Sequence, residues 1–525
     1  MFVWLLLFSA PLDCGAFDVM AFRSIEERHE YIDSLAGEDL YGTISLLSEV
    51  LGCPSEQTRM FAAEALGYLS DPRATPVLIA ALKSPSTGVR YEAAWGLGLL
   101  GDTSAVTPLI EALSDRAAPV RTNAAWSLGE IADARAIGAL LKALDDTDHR
   151  VRKNATEALG KLESKEAVPI FLERLSSLSG SERNSTLAAL AKIADPRATE
   201  ILAQAATDPS VPERHLIAQA LGRMGDTTAV ETLIKLLDDP RWAVRAKAAW
   251  SLGMLRDKRA VEPLQTKATD KKSEVRQAVF EALGRLGEIS AEDALIEGLA
   301  DESDLCVMAS AHALGLLGSM KAVRPLSELL SNPEPPVREQ VAFALGAIGD
   351  PAAAAALRSR LNDASWEVQQ ASVTAIGRLK DASSLESLRP VLFHKFWSIR
   401  LAVVQTLGAI GASEGLPLLQ QRFKDEHPDV RRWSHLVALK LGAEAEPTLE
   451  GLSKENPSPE MIEVAEVLAA KRESLGAWQG SLSEERLKLL SLLHTDGARA
   501  LLESLSIPAD NPGLGELRLI TLRSW

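Results

Sequence analysis

Arginine recurs in this chain at positions 59, 90, 121, 152, 183, 214, 245, 276, 338, 400 and 431, so every gap is 31 or 62 residues. Arg28 extends the series by one step, and Val307 and Gln369 interrupt it. Glycine keeps the same interval at Gly67, Gly98, Gly129, Gly160, Gly222, Gly253, Gly284, Gly315, Gly346, Gly377 and Gly408. Whole segments return with it: VRYEAAWGLGLLGD at 89–102, VRTNAAWSLGEIAD at 120–133, VRAKAAWSLGMLRD at 244–257 and VREQVAFALGAIGD at 337–350. A period held without insertion over this length implies like units stacked in a line, because one short unit cannot bury its own apolar face.

Each period reads as two helices. A short apolar segment such as AVTPLIEAL (105–113) or AVETLIKLL (229–237) leads into a turn such as SDRAAP (114–119) or DDPRWA (238–243). The arginine-bearing helix follows. Pro119, Pro212 and Pro336 fall near its start, where the first amides have no helical partner to lose. It ends in Gly-x-x-Gly-Asp, where glycine permits a left-handed exit. Val120, Ala124, Leu128 and Ile131 share one stripe at helical spacing, which is the expected buried face, and the central alanine allows close approach of neighbouring units.

These features predict an all-α fold: a right-handed α-solenoid of about fourteen helix-turn-helix repeats with a helical C-terminal cap. The expected divisions are an apolar segment at 1–16, capping helices at 17–55, the repeat array at 56–445 and a helical cap at 446–525. Within the cap, helices are expected at 458–474, 483–493 and 496–505.

An aspartate stands six residues before the arginine position at Asp115, Asp146, Asp208, Asp239, Asp270, Asp301, Asp363 and Asp425, the position being Val307 after Asp301 and Gln369 after Asp363. Aspartates in the turns and arginines on the second helices, among them Arg90, Arg121, Arg152, Arg245 and Arg276, are expected to form a structural ladder between repeats. With this ladder the chain resembles the HEAT-repeat family of armadillo-type folds over residues 25–445, and within it the short type found in bilin lyases of cyanobacterial antennae. At helical spacing, residues two and six beyond the ladder valine, the residue just before the ladder arginine (Val120 before Arg121), point away from the core, with Phe61, Tyr68 and Asn123 in adjacent slots. The resemblance implies that this side lines a concave surface. Met60, Phe61, Tyr68, Tyr91, Trp95, Thr122, Asn123 and Trp126 are the candidate partner-binding residues there, since large rings at outward positions suit a contact strip. The competing reading is that these rings fill gaps between units. Trp242, Trp366 and Trp397, two residues before the ladder valine, are expected to plug the turns.

The function expected is a non-catalytic scaffold or adaptor binding a protein partner along the concave face. The resemblance also implies an alternative, a lyase or chaperone holding a tetrapyrrole against Trp95 and Trp126, and a third, nucleic-acid binding as in alkylpurine glycosylases of related fold. The net charge of −16 opposes the third, although Lys153, Lys161, Lys192 and Arg223 make a short basic track.

No catalytic or metal-ligand constellation is evident, and no cofactor is expected. Deoxyhypusine hydroxylase, another HEAT-like protein, binds iron through paired His-Glu dipeptides, and this chain has one, His29-Glu30. The widely spaced Cys14, Cys53 and Cys306 suggest neither a disulfide framework nor a zinc site. No membrane-spanning segment is expected. MFVWLLLFSA has the apolar stretch of an export signal but no basic residue before it, so the two expectations are export if 1–16 is cleaved and the cytoplasm if it is not.

Overall fold

A computed structural model of the chain describes residues 40–458 without a break, then residues 461, 462, 464, 465, 468, 483, 487, 489, 490, 496–505 and 518. The apolar segment 1–16, His29-Glu30 and most of the helices expected at 458–474 and 483–493 lie outside the described residues. The described residues form 28 α-helices, joined by short 3-10 turns, and no strand. Contacts divide the chain into two compact units, Met1–Ser251 and Leu252–Trp525.

In the first unit, helix Leu40–Val50 precedes a series of helix pairs. Thr75–Ala81 pairs with Thr87–Leu100, Val106–Ala112 with Ala118–Ile131, and Ile137–Ala143 with His149–Lys161. The second unit repeats the plan, with Glu292–Gly298 against Asp304–Leu317, Val323–Leu329 against Pro335–Ile348, and Leu416–Gln420 against Pro428–Lys440. Near the end of the chain, Asp496–Ser504 is helical.

Local chemistry sets the boundaries. Ser86 caps the second helix of its repeat by accepting the Val89 amide at 3.2 Å, and a proline opens helix Ala118–Ile131 in its first turn. At the far end, the second glycine of Gly-x-x-Gly-Asp turns the chain out in the left-handed region, as at Gly101 with φ +66°. The aspartate that follows starts a 3-10 turn by accepting the amide two residues on, as Asp102 does from Ser104 at 2.8 Å. The alanine closing this turn is fully buried in repeat after repeat, including Ala105, Ala136, Ala229 and Ala353.

The first glycine of that motif has a different task from the helix exit expected of it. Gly129 lies inside its helix against the next second helix, where an added Cβ would stand 2.8 Å from Ala158 Cα. Gly160 meets Ala189, and Gly346 meets Ala375, in the same way. The interval of 31 therefore marks a close backbone-to-backbone approach, with Ala191 the one small replacement for glycine between Gly67 and Gly408. Val120, Ala124 and Leu128 are fully buried beside it, and Ile131 is partly buried.

Polar groups also cross between second helices. Ser127 Oγ donates to the Ala94 carbonyl at 2.7 Å, and Thr406 Oγ1 donates to Val373 at 2.9 Å, both buried. Each satisfies a hydroxyl that would be costly to bury alone.

Candidate functional site

The arginines bond across repeats. Arg90 donates Nε and Nη2 to the Asp115 carboxylate at 2.7 and 3.0 Å, and Arg121 does the same to Asp146 at 2.7 Å for both. Arg214 and Asp239, at 2.7 Å, are both nearly excluded from solvent. In the second unit the pairs are Arg276–Asp301, Arg338–Asp363 and Arg400–Asp425. The acceptor lies 25 residues ahead. The residue six positions behind supplies only its main-chain carbonyl, as Asp115 does to Arg121 at 2.9 Å, Asp270 to Arg276 at 2.8 Å and Asp239 to Arg245 at 2.9 Å. Arg152 departs from the rule: Ser177 stands 25 residues ahead, and Glu182 accepts its Nε at 2.8 Å instead.

Rungs are also lost in pairs. Where Val307 replaces arginine, the residue 25 ahead is Asn332, and where Gln369 replaces it, the residue is His394. Neither gap leaves a buried charge without a counterpart. Burial pushes the carboxyls of Asp115, Asp301, Asp363 and Asp425 up, but their arginine and backbone-amide hydrogen bonds and the arginine charges leave each below the ordinary carboxylate range. These groups are committed to holding repeats together.

The candidate strip in the first unit divides. Phe61 is 1 % exposed and belongs to the core, not to a contact surface. Asn123 is 9 % exposed, and its Nδ2 donates to the Tyr91 carbonyl at 3.0 Å. Both stand three beyond the ladder position, a slot that points at the neighbouring helix; Asn154 repeats the contact onto Thr122 at 3.0 Å. Thr122 turns its hydroxyl back to the Ala118 carbonyl at 2.9 Å. Met60 and Trp126 cover glycines of the adjacent repeats: a Cβ on Gly88 would stand 3.0 Å from Met60 Cε, and one on Gly98 would stand 2.7 Å from Trp126 Cζ3.

Tyr68, Tyr91 and Trp95 remain open to solvent. Tyr68 and Tyr91 are 36 % and 37 % exposed, and Tyr68 meets the part-exposed Trp95 edge to face with ring centroids 5.1 Å apart. Burial and then the charges of Glu64 and Glu92 push the Tyr68 hydroxyl pKa up, so the strip lies in a negative potential.

Trp242, Trp366 and Trp397 do not plug turns. Each is the first residue of its helix and is 42–43 % exposed. Two residues before the ladder valine, the helix has barely begun and its side chains project past the packed layer. The basic track carries carboxylates: Lys153 lies 3.7 Å from Glu157, Lys161 pairs with Glu130, and Arg223 lies 3.8 Å from Glu163. Cys306 is buried and free, whereas Cys53 is disulfide-bonded, against the expectation from spacing alone. Separation along the chain does not bar a disulfide, which depends on distance in the fold. Among the described residues no three His, Cys, Asp or Glu side chains converge as a metal site, and no helix is long and apolar enough to cross a membrane.

The sequence matches the HEAT repeats family over residues 44–128, 106–191, 168–242, 199–270, 230–315, 293–365 and 355–440. Its backbone is similar to a chain of the Kap95p–RanGDP structure, with a TM-score of 0.55, 12% identity, and coverage of 99% of this chain and 82% of that one. It is also similar to importin beta crystallised in a polyethylene glycol condition, with a TM-score of 0.53, 13% identity, and coverage of 97% and 83%. No curated protein sequence matches it. At such identities the likeness is one of fold. The overlapping matches, running from residue 44 to residue 440, make this chain a member of the HEAT-repeat family.

Proposed function

We propose that the protein is a non-catalytic scaffold that binds a protein partner along the outward face of its second helices, the concave face of a right-handed solenoid, with Tyr91, Trp95 and Tyr68 as the anchor. The observation that carries this reading is the two open tyrosines, one on each of two successive second helices, beside the part-exposed Trp95. Glu64 and Glu92 beside them favour a partner segment bearing cationic groups. Kap95p, named as binding RanGDP, is a fold neighbour that engages a protein.

The test is affinity purification from the native host, followed by binding of the recovered partner to Tyr91→Ala/Trp95→Ala. Affinity should fall by about tenfold or more, with the melting temperature little changed. Equal affinity in a folded variant rejects the anchor. The carboxylates paired with Lys153, Lys161 and Arg223 weigh against nucleic acid as the partner. The alternative reading, from the sequence resemblance to bilin lyases, is a tetrapyrrole held against Trp95 and Trp126. Visible absorbance in material purified from the host would favour it, and colourless material that binds no added bilin would reject it.

A further inference from the structure

The repeat spanning 385–410 departs from its neighbours. Between Glu386 and Glu414 there is no acidic residue, in a chain of net charge −16, whereas Arg389, Lys395 and Arg400 are present. Arg400 is consumed by Asp425, but Lys395 is exposed. This is also where a ladder rung is missing, and the turn reads Phe393-His394-Lys395-Phe396-Trp397 in place of the usual acidic turn.

The rings gather into a ridge within the second unit. Trp366 meets Phe396 edge to face at 5.7 Å, and Trp397 stacks on His427 at 3.9 Å with planes 1° apart. Phe393 is 58 % exposed. Beside the ridge lies a cavity of about 690 Å³, lined by Trp397, Leu401, Gln405, Trp433 and Met461 together with Asp429 and Arg432, whose charges pair with each other. Trp433 and Met461 are buried at its floor, so Trp397 forms both the end of the ridge and a wall of the cavity.

We propose that this ridge and cavity dock an acidic peptide segment of a partner protein, one that carries an aliphatic or aromatic anchor side chain. The cavity is of a size that takes such a side chain, and its apolar floor rewards the burial. The acid-free stretch and Lys395 supply the complementary charge. One face of each ring is already taken: His427 covers Trp397, Lys395 Nζ sits 4.9 Å above Phe396, and Arg422 lies 4.4 Å from the Phe393 centroid. This narrows the room for stacked nucleobases, which need free faces, while ring edges suit an inserted apolar side chain.

The test selects a display library of random short peptides on the full chain, with Lys395→Glu and Trp397→Ala as comparisons. Enriched peptides should place Asp or Glu beside Leu, Phe or Trp, and their affinity should fall at least about tenfold in each variant. Lys395 is exposed and rests on the Phe396 ring, so an unchanged melting temperature in Lys395→Glu separates loss of binding from loss of fold. No enrichment, enrichment of net-basic peptides, or equal affinity for both variants overturns the proposal. So does a short oligothymidylate that binds more tightly than the selected peptides.

Discussion

Arg338 donates to both oxygens of Asp363, at 2.9 and 2.6 Å, from a pair almost closed to solvent. Arg338→Gln or Asp363→Asn alone removes one charge and leaves the other buried, a change that costs about 3–5 kcal/mol in comparable sites. The double variant copies what the chain already does elsewhere. Gln369 donates Nε2 to the carbonyl six residues behind at 2.6 Å, and Asn332 accepts the Glu334 amide at 2.8 Å. A glutamine at 338 would keep the Asn332 carbonyl, and an asparagine at 363 would keep the Ser365 amide. The double variant should therefore lose only about 1 kcal/mol, a coupling of several kcal/mol.

Amide exchange in helices Pro335–Ile348 and Trp366–Leu379 is the suitable readout, since a linear array opens locally and no single unfolding free energy describes it. The folded Asp363 carboxyl lies below its unfolded value, so the rung stabilises above about pH 4 and is lost as pH falls further. The double variant should lack that acid dependence. Losses that simply add, or an unchanged acid response, refute the argument.

Three further outcomes follow from the packing. By local amide exchange, Gly129→Ala should cost about 2–3 kcal/mol because its Cβ meets the Ala158 backbone, whereas Gly101→Ala, with open space but φ +66°, should cost about 1 kcal/mol; equal losses would reject the distinction. Burial, with Lys380 adding to it, pushes the Lys440 ammonium down to about 8. The unfolded chain holds that proton more tightly, so stability should rise as pH climbs from about 8 toward 10, and Lys440→Met should abolish the rise and add about 1–3 kcal/mol near neutrality. Alkylation in denaturant without reductant should modify Cys306 and leave Cys53 untouched until reductant is added.

The period and the two-helix unit were legible because stacking demands them at each step, and Val120, Ala124 and Leu128 sit where helical spacing places them. The ladder was legible as a pairing but not in its register. Six residues behind and 25 ahead sum to one period, so spacing alone does not distinguish them, and only the contacts show that the carboxylate comes from the next turn. Paired gaps at Val307 with Asn332 and Gln369 with His394 were the signal that would have settled it. Phe61 and Asn123 lie against the neighbouring second helix, a contact not legible in an isolated helical wheel, which does not know how closely that helix approaches. That distance is set by glycines such as Gly98. The ridge at 366–397 went unread because tryptophan is more often core, and exposure at a helix's first residue depends on where the packed layer stops.

A ladder guanidinium such as that of Arg276 is shared, taking a carbonyl from its own turn and a carboxylate from the following one. No repeat is thus electrically complete by itself, and the seam has a direction, with cation behind and anion ahead. A chain built on such a seam lengthens or shortens by whole periods without orphaning a charge. A cut at any other phase exposes a half-rung at the new end. Arg59, with Ser84 where an acid would stand, takes carbonyls at 2.7 and 2.8 Å instead.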